Sequence, residues 1–585
     1  MSKKKMIIFN LTPINNCELS LEEFERRVKK AKELGATHVF ISEVHKSRWV
    51  WEEDLSDPYP AWGMLNPSLF KIILPDELKE YYPNDYIKSN YELVKRKSEI
   101  VRNNGLKSAV YFCEPFYMPE KVFREHPEWR GPRCDHPRRS RRAYYSPCMD
   151  NPQILKFYKD ATKEICKLAD IDYMYLHTND CGAGICWSEG LYAGSNGPEA
   201  CKNIPQTERI KNYLNVFKEG AKEAGRNLYI ETNAKIGVKA LDPALENVWK
   251  SLDDNMAVNF KTNKGTPLSE LVDLNYEFTL SPVKCIPLAV NFLEQLERAY
   301  HSAAPILKVQ FLENDFDYQE KIYKAFFKYP TDGVNDRFRL LKNVFGKNLT
   351  EAFNEINEAL KHLLSTFMEG FTWISVNQRV LTRPFVLFQN ELTPDEYSYY
   401  RPYQIQAGTL EASFDLLNNQ GSAFVKGYNA IWLASHLLDR TKGCLEKAIN
   451  YYRLCGESDE ILLAIDRIKL LICFINNYQN AMEFQQLVDE TDFNETPIVT
   501  SKWPCEGDER LLRYEAIHRK EIDNTTLIIK LIKGREDTML SLADKPENED
   551  HFLLSPEIVS QLEKKIDIMQ KHLLDGKRLF LSRNK

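Results

Sequence analysis

The chain has 585 residues, 43% hydrophobic and 28% charged, with a formal net charge of -6 and a pI near 6.1. That length exceeds a single hydrophobic core and supplies two or three domains. The slightly acidic balance excludes a general attraction to nucleic acid or to membrane surfaces, and no run reaches the ~20 apolar residues of a membrane span.

The first half alternates strand and helix. Residues 6–12 (MIIFNLT) are short and apolar and predict a buried strand. The apolar start is too brief for a signal peptide, so the expected location is cytoplasmic, or periplasmic if an export signal has been removed. An amphipathic helix follows from Leu21 to Gly35, with Ser20 as its N-cap and Gly35 as its stop. Residues 37–44 form the second strand and 107–113 the third, separated by a long loop and a helix near 87–104.

Residues 152–169 are helical and lead into an aromatic strand (Tyr173, Met174, Tyr175, Leu176) that ends at His177, Thr178, Asn179 and Asp180. A loop rich in glycine and aromatic residues follows, with Gly182, Gly184, Trp187, Tyr192, Gly194 and Gly197. A helix near 207–224 precedes the fifth strand, 227–231. Segments 255–260 and 276–280 are the expected sixth and seventh strands, and 306–312 the eighth.

Eight strands alternating with helices predict an α/β fold, a closed parallel (β/α)8 TIM-type barrel over residues 1–348. The rival is an open doubly wound sheet, but the first turn lacks a GxGxxG phosphate loop. From residue 349 to 585 helical periodicity dominates and predicts an all-α C-terminal domain, whose surface is where a homodimer would form. The proline- and aromatic-rich stretch 382–404 reads as a long ordered loop folding back on the barrel.

Barrel enzymes place their chemistry just past the carboxyl ends of the strands. There the sequence offers Glu43, His45, Arg48 and Trp49 after the second strand, and Glu114 after the third. It offers His177, Asn179 and Asp180 after the fourth, Glu231 and Asn233 after the fifth, and Glu313 after the eighth. Carboxylates facing an aromatic-lined pocket suit glycoside hydrolysis: one acid protonates the leaving oxygen and another group attacks or stabilises the cationic sugar centre.

Asp180 is the expected general acid, with Glu231 and Glu313 as rival bases or nucleophiles. Asn179, beside the acid, matches in type the polar residue that a substrate-assisted mechanism needs to hold an acetamido group. Trp187, Tyr192 and Trp49 offer flat faces to a sugar ring, while His45, His177, Arg48, Glu114 and Asn233 supply polar contacts to its substituents. A solvated loop and an anion site are both open to the arginine-rich segment Arg130–Arg142. Thirteen cysteines, an odd number scattered singly, fit reduced thiols; Cys181 and Cys186 lack CxxC spacing and read as small apolar residues. No metal and no cofactor are expected.

The stretches HPEWRGPR (126–133), SPCMDNPQI (146–154) and TNDCGAGICW (178–187), in this order, resemble bacterial sugar-cleaving barrels, namely family 20 hexosaminidases and family 67 α-glucuronidases. The resemblance covers roughly residues 100–235 as a pattern likeness. In both groups the acid follows the fourth strand, which implies Asp180 here. The hexosaminidases carry an Asp-Glu pair where this chain has Asn179-Asp180, and the glucuronidases have a helical domain after the barrel. The resemblance implies a glycosidase on an oligosaccharide, either an N-acetylhexosaminide or a uronic acid glycoside, and the many long loops, which would close the pocket, predict exo action. The alternatives are a barrel lyase, isomerase or metal-assisted hydrolase using His45, His177, Glu114 or Asp180, or a non-catalytic carbohydrate-binding barrel.

Overall fold

A computed structural model of the chain describes residues 4–11, 19–45, 66–135, 140, 142–179, 182–233, 243–272, 280, 282–311, 316–368, 381–398, 428–489, 507–543, 545–546 and 554–580. Two compact units emerge. The first is Met1–Asp273 with Phe292–Asp332, and the second is Leu274–Asn291 with Gly333–Lys585.

Among the described residues the first unit has ten strands: β1 (Met6–Asn10), β2 (His38–Phe40), β3 (Lys107–Cys113), β4 (Arg130–Arg133), β5 (Tyr145–Pro147), β6 (Ile171–His177), β7 (Tyr229–Thr232), β8 (Met256–Val258), β9 (Ser269–Val272) and β10 (Ile306–Gln310). Eight of them form one parallel sheet in the order β8-β7-β6-β3-β2-β1-β10-β9. Helices join most consecutive strands of the sheet, though among the described residues none lies between β8 and β9. Leu21–Glu33 starts at Ser20, whose side chain accepts from the Glu23 amide, and the chain turns at Gly35 with φ 85°. Pro152–Leu168 is capped by Asn151, and Gln206–Glu223 ends before Gly225 at φ 75°.

The sheet curls around one interior cluster that draws on seven of its eight strands and on Leu268 just before β9: Met6, Ile8, Phe40, Ala109, Tyr173, Ala257, Leu268 and Ile306, with Tyr111, Tyr175 and Tyr229 packed against it. The expected closed barrel is not reached. Among the described residues the ladder is open between β8 and β9, giving a half-barrel. The cause is local. After β8, Asn259 and Phe260 take left-handed backbone conformations (φ 47° and 68°), and Val258 exchanges backbone hydrogen bonds with Lys261 at 3.0 and 3.1 Å. The edge groups that would meet β9 are thus turned back into their own loop.

The seventh ladder position belongs to Ser269–Val272, not to the expected 276–280, of which 276–279 lie outside the described residues. Polar Ser269 and Glu270 hid this strand. The short antiparallel pair β4–β5 was also unexpected and frames the arginine-rich segment.

The second unit is helical, with Val334–Phe345, Lys347–Met368, Tyr428–Arg453, Asp459–Asp489, Gly507–Ile532 and Ile558–Lys571 as its main helices. Segment 282–284 joins it through backbone bonds to Met539 and Ser541. The described part of the 382–404 stretch packs within this unit: Phe385 stacks on Phe484 at 4.9 Å, and Val386 packs on Ile568. Among the described residues no helix is long and apolar enough to cross a membrane.

Candidate active site

Strand alternation sends Tyr173, Tyr175 and His177 of β6, Glu231 of β7, and Lys308 and Gln310 of β10 to the inside of the curled sheet, toward its carboxyl end. Glu231 is fully buried. Its Oε2 accepts from the Tyr173 hydroxyl at 2.6 Å, the Ser269 hydroxyl at 2.5 Å and the Lys308 ammonium at 3.3 Å. Burial and the adjacent Glu231 hold the Tyr173 phenol well above its usual pKa, so it remains a donor.

The second oxygen of Glu231, Oε1, is buried with no hydrogen-bond partner among the described residues, as is Nε2 of Gln310. Lys308 lies 4.6 Å from the Tyr175 ring centre and 5.6 Å from that of Tyr173. Tyr111 stacks on Tyr175 (5.5 Å, 13°) and meets the His177 ring edge-on at 6.2 Å. The result is a buried acid and base set in an aromatic wall. All three partners of Glu231 are donors, so the carboxylate is arranged to act through its electron pairs rather than to give up a proton.

Glu231, His177 and Asn233 come together on neighbouring strands. Asn233 Oδ1 accepts from the Thr178 amide at 2.8 Å and ties the end of β7 to the end of β6. Asp180, Glu313, Arg48 and Trp49 lie outside the described residues. His45 is half-buried, its amide bonded to Asn90 Oδ1 and its carbonyl to the Tyr86 hydroxyl.

Glu114 is a buttress. Its Oε1 accepts from the Leu69 amide (2.5 Å) and the Ser68 hydroxyl (3.0 Å), and its Oε2 from the Phe116 amide (3.0 Å) and the Tyr158 hydroxyl (2.9 Å). Burial raises its pKa against those four donors. Nearby, burial pushes Lys71 down to about 7; its ammonium bonds the Asn66 carbonyl at 2.6 Å and sits over the Phe116 ring at 4.3 Å.

The glycine-rich loop is packed by its own side chains. Asn179, at φ 58°, commits its amide to the loop: Oδ1 accepts from the Ile185 amide at 2.9 Å and Nδ2 donates to Ser188 at 2.7 Å. Gly182, at φ 88°, lies so close to the Tyr117 ring that a Cβ there would stand 2.9 Å from it. Trp187 is half-buried and donates from Nε1 to the Pro198 carbonyl at 3.2 Å, while Tyr192 is half exposed. The arginine segment is partly self-paired, with Arg133 bidentate on Asp135 at 2.8 and 2.9 Å.

Among the described residues, His45, His177 and Glu114 form no group that could hold a metal. A hollow of about 450 Å³, lined by Met6, His38, Lys107, Asp172 and Tyr229 among others, opens at the opposite, amino end of the strands. Barrels use that end for stability, and here the Asp172 carboxylate pairs with Lys107 at 2.5 Å. Lys308 and Ser269 were missed from sequence. The signal was a lone lysine inside the apolar run ILKVQFL.

No family model and no curated protein matches the chain, so the likeness to families 20 and 67 does not extend to membership. Among solved structures it is similar to a GH138 enzyme targeting pectin rhamnogalacturonan II, at 10% identity and a TM-score of 0.49, over 98% of this chain and 68% of that one. A GH36 α-galactosidase variant from Geobacillus stearothermophilus aligns over 56% of this chain and 42% of its own, at 14% identity and a TM-score of 0.31. A mutant O-GlcNAc hydrolase from Thermobaculum terrenum aligns over 98% and 96%, at 8% identity and a TM-score of 0.35. At these scores the likenesses assign neither a family nor an activity.

Proposed function

We propose that this protein is a glycoside hydrolase that removes a terminal sugar from an oligosaccharide by carboxylate acid–base catalysis. The observation that carries this reading is Glu231: a buried carboxylate at the carboxyl end of β7, held by Tyr173, Ser269 and Lys308, with one oxygen unpartnered, beside the wall of Tyr111, Tyr175 and His177.

Asp180 gives its proton to the glycosidic oxygen as the C–O bond breaks. Glu231 stabilises the cationic sugar carbon or takes the proton of the attacking water, and the products are a free sugar and the shortened alcohol. Glu313, which follows β10, is the alternative partner. The substrate is an N-acetylhexosaminide or a uronic acid glycoside. Among the described residues Arg133 is engaged by Asp135, and Lys308 is a cation of the interior, paired with Glu231.

Asp180→Asn and Glu231→Gln test these roles. Each is expected to lower turnover of a hydrolysed aryl glycoside by about 10²–10⁴ while far-UV circular dichroism stays that of the parent. Two variants as active as the parent would remove both residues from the mechanism.

A further inference from the structure

We propose that Cys148, Cys186, Cys201 and Asp150 form a zinc site that clamps the glycine-rich loop. One ligand atom from each of the four lies within 4.8 Å of every other. The Cys148 and Cys186 sulfurs are 3.7 Å apart. Tetrahedral zinc with Zn–S bonds of about 2.3 Å requires S···S edges of about 3.8 Å, so the sulfurs already stand at ligand spacing and well beyond disulfide bonding.

Asp150 supplies the second, independent observation. Its side chain is only 3% exposed. One oxygen, Oδ2, accepts from Arg209 Nε at 2.6 Å, while Oδ1 is buried with no hydrogen-bond partner among the described residues. A buried carboxylate oxygen without a donor is costly unless a cation meets it.

Arg209 completes the surroundings. Its guanidinium bonds the Cys186 carbonyl at 3.1 Å and the Cys201 carbonyl, so one buried cation orients two ligand-bearing segments and the carboxylate together. That is the arrangement by which outer groups fix metal ligands. Its charge also offsets part of the negative excess that three thiolates and a carboxylate place on a divalent ion.

The ligands come from three segments. Cys148 and Asp150 follow β5, Cys186 lies in the loop after β6, and Cys201 ends the turn Glu199–Cys201 that precedes helix Gln206–Glu223. Trp187, next to Cys186, packs on the same cluster. The metal therefore has a structural role, fixing the loop that leads away from Asn179 and Asp180.

The test is metal analysis of the full-length protein, made with zinc in the medium, kept reduced and dialysed against metal-free buffer. The proposal expects about one zinc per chain. Cys148→Ser and Cys201→Ser should each lose it, falling by about tenfold or more, while Cys473→Ser, in the helical unit, keeps it. If the first two variants fail to fold, cobalt exchanged into the parent answers instead, through intense thiolate-to-cobalt absorption of a tetrahedral site. Any of three results overturns the proposal: a metal-free parent, metal retained in both variants, or a Cys148–Cys186 disulfide found in the parent by mass spectrometry.

Discussion

Replacing Glu231 by Gln probes the polar centre of the curled sheet, and the structure sets the size of the effect. The amide oxygen can keep the three donors now on Oε2, from Tyr173, Ser269 and Lys308. The new NH2 then occupies the place of Oε1, buried and without an acceptor among the described residues, which costs about 1–3 kcal/mol. Lys308, 5% exposed, loses the carboxylate it pairs with. An orphaned buried charge costs about 3–5 kcal/mol. The faces of Tyr175 and Tyr173 remain and offset up to about 2 kcal/mol of that.

These terms overlap, and the expected net loss is about 3 kcal/mol. Lys308→Met removes the orphaned charge, so the double variant should be more stable than Glu231→Gln alone, with a coupling of about 2 kcal/mol. Urea unfolding of the parent, the two single variants and the double variant, followed by circular dichroism, measures the cycle. A Glu231→Gln loss below about 0.5 kcal/mol, or strictly additive effects, would refute the assigned partnership.

Three further outcomes follow from particular contacts. In the helical unit, Lys565 is fully buried and bonds Glu521 at 2.5 Å and the Leu381 carbonyl at 2.8 Å; burial pushes its pKa down. Lys565→Met should cost about 3–5 kcal/mol, seen as a thermal midpoint lower by about 10 °C. His518, placed between the carbonyls of Phe385 and Tyr514, is held down to about 4 by burial. The unfolded chain, with its imidazole near 6.5, therefore binds more protons between pH 6.5 and 4, and stability falls as pH drops through that window. From pH 7 to pH 5 the parent should lose about 2 kcal/mol more than His518→Gln; equal losses in urea titrations would contradict this. Gly182→Ala, with its Cβ 2.9 Å from Tyr117 at φ 88°, should cost about 2–4 kcal/mol, against about 1 kcal/mol for Gly194→Ala, where a Cβ meets open space at φ 81°. Equal melting shifts for the two would remove the packing argument.

The sheet was largely legible because most of its strands are apolar runs bounded by capped helices. β9 was not, since Ser269 points to Glu231 and breaks the expected pattern. The open seam was illegible as well, because it depends on left-handed conformations at Asn259 and Phe260, which nothing in residue type demands. At the candidate site, Glu231 could be found as a strand-end carboxylate. Its partners Lys308 and Ser269 come from strands remote in sequence, and periodicity cannot pair them. Glu114 and Asn179 show the converse: polar residues at strand ends that the fold itself consumes. The cysteine cluster spans positions 148, 186 and 201, a spacing that forms no motif until the loops are folded.

The most direct measurement of the central claim is turnover by the unmodified chain on a panel of nitrophenyl glycosides that includes N-acetylhexosaminides and glucuronides. The account predicts nitrophenol release from at least one of them, lost on Asp180→Asn. Sugar binding without hydrolysis of any member, persisting in Asp180→Asn, would contradict it and make the chain a binding protein.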